Sequence, residues 1–591
     1  MNTRFLAISL VVLLAPAGGS AAQKSGKAPA PAPAPRPFTV VEATIPQMHL
    51  AMEQKRTTSR EIVLQYLTRI ATYEDRLNAI ITVNPNALKE AEELDRERAA
   101  GKVRGPLHGI PVALKDNIHT TNMPTTGGAL VFDDFTPSYE ATVTKNLRDA
   151  GAIIIAKTGL SELANWVASG MPANYNALTG YGMNPYDPRR DPREANFDGR
   201  PVLSTGGSSS GIGTAANFWA ANVGTETSGS ILSPANQNML AAIKPTVGRI
   251  SRYGIIPITA DQDTAGPMGR TVTDIAVMMG ALESAAPDPN DAATKACVAP
   301  PGRDYTKFLN PAGLKGARIG IPRASFYDRA PVPGQKEPRG GLNPEQAKAM
   351  AEAIAILQQQ GAILVDPADI PSIVTDDAAG SFLTWGVCGG LDNGKGKDAE
   401  CSIVLKYGMK RDFNAWLKTL GDAAPVKTLT ELRTWNVAHQ KAGAIKYGQA
   451  QLDISDEMDV QMDRSRYQAD RAKDIRLAAT EGIDAVMKKH NLDALLFPGP
   501  SSAGIGAKAG YPTVLVPFAL VPNVPFAGPP GATGGATGTA PRNPFPDGFD
   551  PKPSPYGVGF TGMACSEPRL LEIAFAFEQA TKRRVPPASA P

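Results

Sequence analysis

The sequence predicts an α/β fold: a single α/β/α body around a large mixed β-sheet, carrying helical embellishments. Three observations lead there. Apolar runs such as Leu107 to Leu114, closed by the cation Lys115, and Ala152 to Ala156 read as buried strands. The helical segment Thr142 to Ala150 lies between them and gives a β-α-β rhythm, the pattern of a largely parallel or mixed sheet. Finally, 591 residues with 42% hydrophobic and 20% charged side chains are an ordinary globular composition, enough for a sizeable core.

In chain order, residues 1–22 have the pattern of a secretory leader. Arg4 precedes the apolar run Phe5 to Ala15, and small residues lead to Ala22, after which cleavage is expected. That run is too short to span a bilayer, where about 20 residues are needed. Residues 23–37 form an Ala/Pro linker of polyproline character, and the folded body is expected over 38–587. Thr58 and Glu61 make a capping-box pattern ahead of Ile62, Tyr66, Ile70 and Tyr73 at helical spacing. A second helix is expected from Pro85 to about Ala100, with Asn84 as cap and Gly101 as stop.

Asp187 to Arg200, rich in charge, Pro and Asn, reads as an exposed insertion. A helix is expected over Val272 to Leu282. The region from about 290 to 495 is more helical and more charged, an embellishment packed beside the core. Apolar strands return at Asp493 to Pro498 and Tyr511 to Pro517. Between Pro522 and Tyr556 the chain is Gly- and Pro-rich, a long loop expected to line or cover a substrate entrance.

The formal charge of +3, without any Lys/Arg run, argues against nucleic acid as a partner. Export would make Cys297, Cys388, Cys401 and Cys565 candidates for disulfides, with three pairings open. Cys388 and Cys401 flank a Gly-rich charged stretch suited to such a staple. No cysteine has metal-ligand spacing and the five histidines form no cluster, so no metal is expected.

The chemistry concentrates in two clusters of small residues, Gly206-Gly207-Ser208-Ser209-Ser210-Gly211 and Gly224-Thr225-Glu226-Thr227-Ser228-Gly229-Ser230, followed by Lys244-Pro245-Thr246. Such residues bury little apolar area. Their use lies in close backbone approach, exposed N–H groups and hydroxyl chemistry. Amide hydrolysis needs a nucleophile, a base, oxyanion donors and an acid for the leaving nitrogen. No His adjoins either cluster, whereas Lys115 ends a buried strand, where desolvation lowers an ammonium pKa and makes it a base. The plainer alternative is a Lys that reaches solvent or pairs with Asp116. Gly207 to Gly211 also satisfies G-x-S-x-G with Ser209 central, but that elbow requires a late His after a terminal strand, and neither His439 nor His490 occupies such a place.

These motifs, in this order, resemble the amidase signature family, and Gly109 to Asn117 and Phe577 to Thr581 match it too. The resemblance spans roughly Thr44 to Pro586 and implies a three-layer α/β/α fold around a large mixed sheet, needing no cofactor. It implies a Ser-cisSer-Lys triad of Ser230 as nucleophile, Ser208 as bridging serine after a cis Gly207-Ser208 peptide, and Lys115 as base. The oxyanion hole would fall on the main-chain N–H groups of Thr227, Ser228, Gly229 and Ser230. Leu232 stands where many members carry an Arg, and the interval from Ser208 to Ser230 is shortened near Gly213-Thr214-Ala215. The wording around Gly254 to Met268 is most similar to peptide amidases, while the tRNA-dependent amidotransferases fit poorly. The resulting expectation is an exported amidase acting on a small-molecule or peptide amide. A broader aryl- or fatty-acyl amidase and a catalytically impaired binding protein are the alternatives.

Overall fold

The computed structural model describes residues 38–193, 198–389, 398–523 and 545–591. The expected leader and linker lie outside the described residues, as does most of the Gly/Pro-rich loop. From Thr39 onward the chain forms one unit. Among the described residues no helix is long and apolar enough to cross a membrane.

Eleven strands make the central sheet: β1 (Ile80–Val83), β2 (Pro111–Lys115), β3 (Ile153–Thr158), β4 (Ala221–Glu226), β5 (Ala241–Lys244), β6 (Thr264–Gly269), β7 (Arg318–Gly320), β8 (Ile363–Val365), β9 (Ala494–Pro498), β10 (Thr513–Val521) and β11 (Ser554–Thr561). Their order is β1-β3-β2-β4-β6-β5-β10-β11-β9-β7-β8. β2 runs parallel to both β3 and β4, and β7 runs parallel to β8 and β9. The remaining pairs are antiparallel, so the sheet is mixed, as expected.

β2, β3, β4, β5 and β6 are buried along their whole length, which is why they carry no solvent-facing alternation. Helices Val272–Leu282 and Glu567–Thr581 pack on β6 and β10, respectively. The capping box at Thr58 and Glu61 is present and starts the helix Ser59–Leu77, whose Ile62, Tyr66 and Ile70 are buried. The next helix starts at Ala87 rather than Pro85, with Asn84 accepting from the main chain of Asn86.

Three expectations are corrected. The region from 290 to 495 does not only embellish the body, because Arg318–Gly320 and Ile363–Val365 complete one edge of the central sheet. Asp187 to Arg200 is not simply exposed, since Asp187, Asp191 and Arg193 are buried. Arg193 pairs with Asp191, and the guanidinium groups of Arg189 and Arg193 lie over the rings of Phe549 and Phe545 at 4.2 and 4.3 Å. Charges that pair locally and are roofed by aromatic rings can leave water. The long loop also ends earlier than expected, because Ser554 to Tyr556 already belong to β11.

The cysteines pair as Cys297–Cys565 and Cys388–Cys401. The second closes the stretch that the sequence marks for a staple.

Candidate active site

Lys115 is the last residue of β2, and the parallel register sets Leu114 beside Val223 of β4. The side chain is fully buried, and its amine donates to the carbonyl of Thr225 at 3.0 Å. Burial pulls its pKa down from 10.5 to about 8, against the opposing pull of Glu226 and Asp263. The plainer alternative for Lys115 does not hold: Asp116 pairs instead with the buried Lys157 at 2.7 Å.

β4 ends at Glu226, and the chain turns through Thr227 to Ser230 into the short helix Leu232–Gln237. Glu226 fixes that turn from below. Its carboxylate accepts from the main chain of Ile231 at 2.8 Å and of Leu232 at 2.9 Å. Gly229 has φ 95°, a left-handed conformation that a side chain would strain. Ser230 is half-buried at the end of the turn. Its Oγ lies against Gly207, where a Cβ would come within 2.6 Å. Among the described residues, the main-chain N–H groups of Thr227, Ser228, Gly229 and Ser230 find no acceptor in the turns and loops around them.

Sequence reasoning missed Asp263. Thr227 Oγ1 donates to one of its oxygens at 2.5 Å, and the main-chain N–H groups of Ile258 and Thr259 donate to the other at 2.8 and 2.9 Å. Burial raises its pKa to about 7. Gln262 supports the same residue from the side, donating to the Thr227 carbonyl at 3.3 Å. The signal available was a polar Gln262-Asp263-Thr264 step at the head of an apolar strand.

Ser208 is fully buried next to Leu160, to which it is bridged by the backbone. Its hydroxyl bonds to that of Ser210, and Lys115 bonds to Thr225, so the relay from Lys115 through Ser208 to Ser230 is not closed by hydrogen bonds here. The expected cis peptide at Gly207-Ser208 is corrected: among the described residues the only cis peptide is Asp366-Pro367. The trans form is the lower-energy default, by about 3–4 kcal/mol for a non-proline bond. Ser209, the centre of the elbow pattern, is buried and donates to Asn174 at 2.7 Å, which leaves that hydroxyl with a structural partner.

A cavity of about 240 Å³ opens from Thr225 and Thr227. It runs between the Gly254 to Ile258 segment, Asp263 and the helix bearing Trp416. Trp416 is held by its indole N–H, which donates to His119 at 3.0 Å; burial lowers the His119 pKa to about 3, keeping it a neutral acceptor.

An eleven-stranded mixed sheet delivering a buried amine to a Gly/Ser turn is the architecture of amide-hydrolysing enzymes of the amidase signature class. The chain belongs to the Amidase family, whose model matches residues 61–571. It is 33% identical to a probable amidase of Arabidopsis thaliana over 559 residues, 93% of this chain and 92% of the relative. Among solved structures, the native peptide amidase from Stenotrophomonas maltophilia superposes with a TM-score of 0.74 at 34% identity, covering 93% of this chain and 99% of that one. An amidase family protein from Bacillus anthracis superposes with a TM-score of 0.73 at 30% identity, covering 93% of this chain and 92% of that one. The chain is therefore an enzyme that hydrolyses amide C–N bonds.

Proposed function

We propose that this amidase works through an acyl-serine intermediate on Ser230, with Lys115 as base and Ser208 as the bridging hydroxyl. The observation that carries the reading is the fully buried Lys115 amine, its pKa lowered to about 8, bonded to Thr225 just ahead of the turn that presents Ser230. A neutral amine at that depth can take a proton that an exposed lysine would not.

In the proposed cycle, Ser208 exchanges Ser210 for Lys115 and Ser230. The Ser230 proton passes through Ser208 to Lys115 while Ser230 Oγ attacks the amide carbon. The N–H groups of Thr227 to Ser230 receive the oxyanion. The proton returns through Ser208 to the departing nitrogen, the C–N bond breaks and ammonia leaves. Water then releases the carboxylate by the same path. No step draws on a cofactor.

The substrate we infer is a C-terminal peptide carboxamide, supported by the likeness to the peptide amidase and by Leu232, which offers no cation to a free carboxylate. Export is part of the proposal and rests on the leader pattern of residues 1–22; the two disulfides agree with an oxidising compartment. N-terminal sequencing of the mature protein is expected to begin at Gln23.

The test of function is ammonia release from a panel of peptide amides and acyl anilides, together with labelling by a fluorophosphonate. Wild type is expected to release ammonia from peptide amides and to label at Ser230. Lys115→Ala is expected to lose at least about a thousandfold in turnover while staying folded, in line with losing both base and proton relay. Full activity in that variant refutes the triad. Preference for acyl anilides selects the broader amidase, and absence of labelling at Ser230 refutes the acyl-serine reading.

A further inference from the structure

The cavity beside Thr225 and Thr227 carries information about the group attached to the amide. Its walls are Ile255, Ile256 and Ile258 on one side and Tyr139, Tyr253 and Trp416 on the other. Tyr139 and Tyr253 stack with ring centroids 5.0 Å apart and planes 24° from parallel, and Tyr139 is tied through its hydroxyl to Thr419 at 2.6 Å. Trp416 is fixed by His119. These rings form rigid faces.

Every charged side chain on the cavity wall is already engaged. Arg252 donates to both oxygens of Asp291, at 2.7 and 2.5 Å, and also to the carbonyl of Ala260. Asp412 takes both arms of Arg411, at 2.6 and 2.8 Å, and the main-chain N–H of Ala260 at 2.7 Å. Asp263 is filled by Thr227, Ile258 and Thr259. A charged group entering the cavity would lose water and meet no free counter-charge, a state strongly disfavoured. An aromatic or branched apolar group would gain burial and ring contacts.

Size narrows the choice further. About 240 Å³ falls below the roughly 300–1,000 Å³ of pockets that hold drug-sized ligands. That is room for one residue-sized side chain.

We propose that this cavity selects amides whose side chain next to the scissile carboxamide is aromatic or bulky and apolar, with Tyr253, Tyr139 and Trp416 as the specificity-determining residues. The inference rests on the proposed amidase reading of the Thr225 to Ser230 turn and names its substrate class. Tyr253 is the residue to alter, because it is only partly buried and separates this cavity from a polar cleft lined by Glu140, Lys145 and Arg148.

The experiment compares kcat/KM for ammonia release from the N-acetyl amides of phenylalanine, leucine, glycine, aspartate and lysine, each with a free side chain. Phenylalanine and leucine amides are expected to exceed the aspartate and lysine amides by about a hundredfold or more, within the range that pocket contacts supply. Tyr253→Ala is expected to lower the phenylalanine value by roughly 10- to 100-fold and the glycine value by less than about threefold. Tyr253→Phe keeps the ring and is expected to keep the preference for the phenylalanine amide over the aspartate amide. Equal rates for charged and aromatic amides, or an equal loss on the phenylalanine and glycine amides in Tyr253→Ala, overturn this inference while leaving the amidase reading intact. Ammonia from none of the amides overturns the proposed substrate reading itself.

Discussion

Lys115 owes its chemistry to its address, since an amine at the end of a five-residue buried strand has no water to stabilise its charge. As the proposed base it must be neutral, so kcat/KM is expected to rise with pH through about 8 and level off above it, which a pH-rate profile on an N-acetyl amide checks. The stability consequence has a definite sign. The folded pKa is depressed, while the unfolded chain keeps the ordinary value of 10.5. Between about 8 and 10.5 the unfolded state holds a proton that the folded state lacks, so stability contributed by this group rises with pH across that window and is lost as pH falls through it. Lys115→Met is thus expected to abolish turnover yet to be more stable than wild type at pH 7, by on the order of 3 kcal/mol at most, with the gain shrinking toward pH 10. Denaturant melts at pH 7 and pH 10 read this out, and a variant less stable at pH 7 counts against buried charge as the main burden at that site. Lys115 was legible from sequence because packing alone gives no reason for a lone cation to close an apolar run. Asp263 was not, because its meaning comes from Thr227, 36 positions earlier in the chain.

At the scale of the element, the Thr227 to Ser230 turn is held from two sides. Glu226 binds the start of the following helix, and Asp263 binds Thr227. Asp263→Asn can keep an oxygen toward the main-chain N–H groups of Ile258 and Thr259 only by turning its NH₂ to Thr227, whose hydroxyl then loses the acceptor it donates to. The expected result is a roughly 10- to 1,000-fold fall in kcat with a smaller change in KM, the signature of disturbed oxyanion donors rather than of lost substrate contacts. Fluorophosphonate labelling of Ser230 should slow in parallel. A variant that changes only KM would remove Asp263 from this role. Strands and helices with strong periodicity or caps, such as the helix begun by Thr58 and Glu61, were readable in advance. The direction of the Ser208 hydroxyl was not, because a buried rotor follows its nearest partner, here Ser210, which no spacing rule encodes. Asp187 to Arg200 misled for a related reason. Charge density signals solvent correctly for Arg189 and Arg190, which are exposed, but not for Asp191 and Arg193, which pair with each other beside the ring of Phe545.

Over the whole molecule, the central sheet draws its strands from both ends of the chain and from the charged middle, and this long-range assembly is what local pattern could not supply. The two disulfides act on that assembly at different scales. Cys297–Cys565 joins positions 268 residues apart, and Cys388–Cys401 joins positions 13 apart. In the chain-entropy account a longer closed loop restricts the unfolded state more, with about 3 kcal/mol for a loop near 15 residues and more than about 4 for one above 100. The long link also reaches the site. Cys297 follows the segment bearing Asn290 and Asp291, and Asp291 holds Arg252 at the cavity wall. Cys565 receives support from Thr246, whose hydroxyl accepts from its main chain at 2.8 Å. Replacing Cys297 and Cys565 together by Ser is expected to lower stability by about 2–5 kcal/mol and also to raise KM for a phenylalanine amide. The Cys388→Ser, Cys401→Ser pair is expected to cost less and to leave KM unchanged, because the nearest cavity-lining residue in sequence, Asp412, lies 11 positions past Cys401, against six between Asp291 and Cys297. Thermal melts and Michaelis curves of the two double variants distinguish these outcomes. If both pairs shift KM alike, the cavity wall is not held through Cys297, and the disulfides stabilise the body without shaping the site.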